Sequence, residues 1–190
     1  MRADFRQVLR EETQADHARV DRLLSFFDIA RPDGLEGFLL VHQTCFREMH
    51  GLAAPDSHAA ASLQKMIEGI ERDLETLAVR ASLTSPTRAA NADPLAIDYM
   101  IEGSRLGSKV LKRKWSGSSD PVVQRADSYF SIDPVPGRWR EVCAALSDIP
   151  ADSRRARQII ADTRQLFGMF FDVASGIKNS SGQQQEKVIS

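Results

Sequence analysis

The chain has 190 residues, 42% of them hydrophobic and 27% charged, with 25 Lys and Arg against 26 Asp and Glu. That length and apolar content are enough for one domain with a full core. A net charge of −1 excludes a polybasic nucleic-acid or anionic-membrane binder and fits a small neutral or amphipathic partner better. The N-terminus MRADFRQVLREETQADH lacks the apolar core of a signal peptide, and no run approaches the ~18 apolar residues of a membrane span, so we expect a cytoplasmic protein. Cys45 and Cys143 lie far apart in apolar, helical contexts and read as buried free thiols, in keeping with a reducing compartment.

From Ala3 to Phe27, the apolar positions Phe5, Val8, Leu9, Val20, Leu23, Leu24 and Phe27 recur at three- and four-residue steps, which predicts a first helix. Arg31-Pro32-Asp33-Gly34 breaks it, because proline disfavours helical geometry in the residue before it, and Asp33 is the expected cap of a second helix running to Ala54. Ala54-Pro55-Asp56-Ser57 is the next break. The stretch LQKMIEGIERDLETLAV then carries Leu63, Met66, Ile67, Ile70, Leu74 and Leu77 on one stripe, a third helix. A polar stretch, Ser82 to Asn91, leads to Asp93-Pro94, a cap with proline at the first helical position, opening a fourth helix that should reach Trp115.

Ser116 to Asp120 reads as a loop, Pro121 to Phe130 as a short helix, and Asp133 to Gly137 as a further break. A sixth helix is expected over Arg138 to Leu146. Pro150-Ala151-Asp152 should cap the last one, whose apolar face holds Ile159, Ile160, Leu166, Phe167, Phe170 and Phe171. After Ser175 the composition turns to Gly, Asn, Ser, Gln and Lys, which predicts a helical domain over 1–175 and a disordered polar tail over 176–190. With no two-residue alternation and no internal repeat, the fold class is all-α, a single-domain multi-helix bundle.

Three readings compete for the chemistry. His17 shares a helix face with Leu9, Thr13, Val20 and Leu24 and looks into an apolar cleft, although an isolated helical histidine flanked by Asp16 and Arg19 also reads as a half-exposed surface residue. His42, in FLLVH, reads as a satisfied core or interface histidine, and His50 and His58 border a loop. No Glu-x-x-His, Cys-x-x-Cys, His-Glu-x-x-His, P-loop or GxGxxG occurs, so di-iron, zinc and nucleotide chemistries lack their ligands. Gly103 and Gly107 lie one turn apart within a helix, each costing about 1 kcal/mol relative to alanine. They serve either close helix–helix packing or the approach of a flat ligand to the backbone.

LREETQADHARVD followed by YMIEGSRLGSKVL resembles the proximal and distal helices of bacterial haem oxygenases, and FLLVHQTCFREMH, GRWREVCAALSDI and RQLFGMFFD resemble further family segments in the same order. The similarity runs from about Leu9 to Ser175. It implies a bundle of the haem oxygenase type, with haem sandwiched between a proximal helix, whose His17 ligates the iron, and a kinked distal helix, whose Gly103 and Gly107 lie over the other face. Haem is then both cofactor and substrate, opened at a meso carbon by O2 and electrons from an external reductase or ferredoxin to give biliverdin, CO and ferrous iron.

The resemblance also implies that Arg10 and Tyr99 meet the haem propionates, though a solvated arginine and a core tyrosine explain the same positions. Phe167 matches an aromatic pocket wall or, equally, a core residue, and Thr13 and Val20 share the His17 face. Many family members have aspartate where Ser104 stands, whereas the bacterial members resembling this chain share the serine and route the waters otherwise; several relatives have glycine or alanine where Ser108 stands, and its hydroxyl either donates a hydrogen bond or crowds the distal face. Lys109, Lys112, Arg113 and Lys114 fit docking of an acidic redox partner or a solvated helix end. The resemblance further allows a biliverdin-accepting photoreceptor as partner. A non-catalytic haem carrier or sensor on the same fold is the alternative, and a helical interaction protein a third reading.

Overall fold

The computed structural model describes residues 4–79 and 91–188, with side chains as far as residue 179. Among them run seven helices and no strand: α1 (Phe5–Leu24), α2 (Pro32–Leu52), α3 (His58–Thr76), α4 (Pro94–Ser116), α5 (Pro121–Arg125), α6 (Arg138–Ser147) and α7 (Arg154–Val188). No helix among the described residues is long and apolar enough to cross a membrane. Helix α7 is the axis of the bundle, packing against α1, α2 and α4, while α3 covers α2 and α6 covers α4.

Helix starts follow local chemistry. The carboxylates of Asp4, Asp93 and Asp120 accept from the amides of Arg6, Leu95 and Val122, and the Ser57 hydroxyl accepts from Ala60, each satisfying an amide that the first turn leaves unpaired. Two expected caps are corrected. Pro32 itself occupies the first turn of α2 with Arg31 preceding it, so Asp33 lies inside the helix, and the hydroxyl of Ser153, not Asp152, accepts from Ala156 at 3.0 Å to open α7. The expected polar stretch Ser82–Asn91 lies outside the described residues apart from Asn91, as does the expected start at Ala3.

Tertiary contacts explain where other boundaries differ. The first helix ends at Leu24, three residues early, because the chain turns to bury Phe27 against Gly37 of α2, where a Cβ would sit 2.6 Å from the ring. Only glycine admits that approach. The helix expected to reach Phe130 stops at Arg125, since the wholly buried Asp73 of α3 draws in the amides of Ser128 and Tyr129 at 2.8 and 2.9 Å. Hydrogen bonds to a charged group contribute about 1.5–3 kcal/mol each, more than a marginal helix turn. At the other end of the chain α7 continues past Ser175. Val173, Ala174 and Ile177 are buried, so packing carries α7 past that point, and propagation of a formed helix takes it to Val188.

The start of α4 is held onto α7. The buried carboxylate of Asp162 accepts from the Asp93 amide and from Gln158, both at 2.8 Å, and Arg155 donates to Asp93 at 2.9 Å. On its other side, Arg138 of α6 donates to Asp98 at 2.9 Å. Helix α1 reaches α7 through Arg164, which donates to the Glu12 carbonyl and carboxylate, both at 2.8 Å. That pair is half-exposed and contributes at most about 1 kcal/mol. Full burial of Phe5 and Leu9, at about 1.5–3 kcal/mol each, dominates the docking of α1. Cys45 is buried and Cys143 partly so, both free.

Candidate functional site

Every third or fourth residue of α1 from Arg6 to Leu24 faces α4 across a cavity of about 680 Å³. The cavity deepens from an exposed rim, which holds Arg10, His17, Ser104 and Leu106, to an inner wall of His42, Phe46 and Met49 of α2 and Phe170 of α7, each less than a tenth exposed. Trp139 of α6 closes one side.

His17 is 58% exposed in its side chain, and its Nδ1 lies 3.0 Å from the Asp21 carboxylate one turn on, while the ring stands edge-on to Phe167 at 5.5 Å. Committing Nδ1 leaves Nε2 as the free nitrogen. Thr13 is buried, its hydroxyl donating to the Leu9 carbonyl at 2.8 Å. Tyr99 stands opposite, its ring 5.8 Å from Trp139, its phenol pushed up by burial and eased back by a hydrogen bond with Thr13 and by the positive charge of Arg10. Thus Arg10, Thr13, Val20, His17, Tyr99, Gly103, Ser104 and Phe167 all line one cavity.

Gly107 and Ser108 are not among the lining residues, which on α4 end at Leu106. A Cβ on Gly103 would touch Trp139 at an ordinary 3.7 Å, and one on Gly107 would meet nothing within 4 Å. Neither glycine is needed for helix–helix packing. The Ser104 and Ser108 hydroxyls donate back to the Ile101 and Arg105 carbonyls, both at 2.7 Å, so their protons are spent within their own helix.

Two contributors escaped the sequence reading. Trp139 sits in a segment whose spacing announced only a helix. His42 has its Nδ1 2.8 Å from the Phe38 carbonyl, as a satisfied core histidine should, yet it also forms part of the cavity's inner wall, and burial pushes its pKa down to about 4. The apolar run FLLVH carried the burial signal; which face it turned to a cavity was a tertiary matter.

No family model and no curated protein sequence matches the chain. Among solved structures it is similar to a haem oxygenase from Neisseria meningitidis, described in NO- and CO-bound forms, with 92% of each chain covered, a TM-score of 0.66 and 19% sequence identity. The fold of this chain is therefore the all-helical haem oxygenase fold, and the cavity between α1 and α4 is built on it.

Proposed function

We propose that this chain binds haem in the α1–α4 cavity and opens it at a meso carbon to biliverdin, CO and ferrous iron, using O2 and electrons from an external reductase or ferredoxin. The observation that carries this reading is that His17 and Gly103 line one cavity from two facing helices, with the His17 Nδ1 committed to Asp21. The cavity volume lies in the range that encloses a cofactor-sized ligand. Among the described residues no group of three His, Cys, Asp or Glu could hold a bare metal ion, whereas a metal already held by four porphyrin nitrogens needs a single imidazole.

Bound haem supplies the redox-active iron and the ring that is oxidised. The chain supplies position and dryness. Asp21 fixes the imidazole tautomer so that the Nε2 lone pair is available to iron. Arg6 and Arg10, at the rim, offer charge-assisted bonds to the propionates, with Tyr99 beside them. Gly103 lets a flat ring lie against the backbone, and Phe46, Met49 and Phe170 exclude water from the far edge. Gly107 and Ser108 would come over the ring by a bend of α4, for which the open space around Gly107 leaves room. The reaction would run in the cytoplasm, with a redox protein as partner and, where product is passed on, a biliverdin-accepting photoreceptor.

A haem carrier or sensor is the second reading, favoured by one observation: the distal hydroxyls of Ser104 and Ser108 donate within α4 and present no proton to the cavity. Incubation with haem and a reductase system under O2 separates the cases. Conversion of the Soret band to a bilin spectrum is expected. Stable ferrous haem would establish the carrier, and failure to develop a Soret band would refute both.

A further inference from the structure

The inner wall of the cavity is nearly all carbon and sulfur, and one group on it does not belong to such a surface. His42 is 8% exposed and lies among the rings of Phe38, Phe46 and Phe170, with centroids at 4.0, 5.4 and 5.6 Å. Its Nδ1 faces the Phe38 carbonyl, which can only accept, so Nδ1 carries the ring proton and Nε2 is a lone-pair acceptor. The only hydrogen bond of the ring among the described residues is at Nδ1; of the side chains around it Phe46, Met49 and Phe170 have no donor, and Tyr129, its ring 6.1 Å away, has its phenol but makes no hydrogen bond to Nε2. Burial keeps the ring neutral at physiological pH. His42 lines the cavity and its Nε2 is not sealed off from it, so an occupant that displaces solvent from this wall leaves the acceptor unpaired, at a cost, unless it brings a donor of its own.

Haem brings none to that depth. Its four nitrogens are bound to iron, and its inward edge is methyl, vinyl and meso C–H. The His17 ring stands against Phe167 at 5.5 Å and the His42 ring against Phe170 at 5.6 Å. Opening the ring and losing iron changes the ligand's chemistry, because the pyrrole and terminal lactam nitrogens then carry protons.

We propose that His42 is a product-recognition residue, its Nε2 accepting a hydrogen bond from an N–H of the open-chain tetrapyrrole. The proposal rests on the haem-opening reading above and deepens it. The cavity distinguishes substrate from product at its inner wall, holding the bilin by a bond that haem cannot make, and its release is slowed accordingly.

The test is to titrate haem and biliverdin separately into the ligand-free protein, following absorbance and tryptophan quenching, for the wild type, His42→Leu and His42→Gln. Leucine should lower biliverdin affinity about tenfold and change haem affinity less than about twofold, while glutamine, whose carbonyl can accept, should keep biliverdin affinity within about threefold of wild type. A readout that needs no variant is the 15N resonance of His42 Nε2, which should shift from that of a free acceptor when biliverdin is added and hold its place when haem analogues without N–H groups are added. Equal losses for both ligands would make His42 a packing residue, loss for haem alone or an altered Soret band would make it an iron ligand, and an unmoved 15N resonance would leave only water on it. Any of these overturns the proposal. Absence of a Soret band on haem addition would instead overturn the haem-opening reading, whatever biliverdin does.

Discussion

Replacing Gly103 by alanine separates the two explanations of the glycine pair. The added Cβ would meet only two ring carbons of Trp139, at 3.7 and 3.8 Å, which is ordinary contact with no overpacking. What remains is helix propensity, which favours alanine by about 1 kcal/mol. For a chain of this size that raises Tm by roughly 2–4 °C, measured by circular dichroism on ligand-free protein. The same methyl group would occupy space on the cavity wall where the flat ligand is to lie, so haem affinity, read from the Soret titration, should fall while stability rises. A ligand-free Gly103→Ala protein that melted several degrees lower would refute the reasoning, because it would mean that the missing Cβ serves packing. Gly107→Leu extends the test: with nothing within 4 Å of its Cβ, it should melt at or above the wild-type temperature and make little biliverdin if α4 bends over the ring.

His17→Ala removes a half-exposed side chain and should leave Tm within about 3 °C while abolishing the histidine-ligated haem spectrum; turnover without added imidazole would show the ligand to be elsewhere. Arg10→Glu puts a like charge at the rim where a propionate is expected, and weaker haem binding or a changed biliverdin isomer ratio should follow, with unchanged values leaving Arg10 a surface arginine. Burial lowers the His42 pKa from 6.5 to about 4, so the unfolded chain takes up this proton first as pH falls, and the folded state loses about 3 kcal/mol between those two values. Denaturant titrations at pH 7, 5.5 and 4 should show a shallower loss in His42→Gln, and parallel curves would place the acid sensitivity in other groups.

Helices and their order are local properties, and the residues announce them. Asp93-Pro94 announces the start of α4, and the three- and four-residue spacing of apolar side chains on α1, α3 and α7 already says which face is buried, whereas the Asp4 and Asp120 caps showed only in the structure. His17, Thr13 and Val20 could be assigned to one face of α1 by the same periodicity. What they face could not. The early end of α5 depends on Asp73, over fifty residues away, and the turn at Phe27 on a glycine in the next helix. The extension of α7 rests on burial of Ile177 that its polar neighbours conceal. Most of all, His42 reads from its surroundings as core and becomes part of a cavity wall because α2 meets α7 with Phe46 and Phe170 beside it. Periodicity tells a residue that it is buried, while only the packing of helices distant in sequence decides whether the burial is against protein or against an enclosed space.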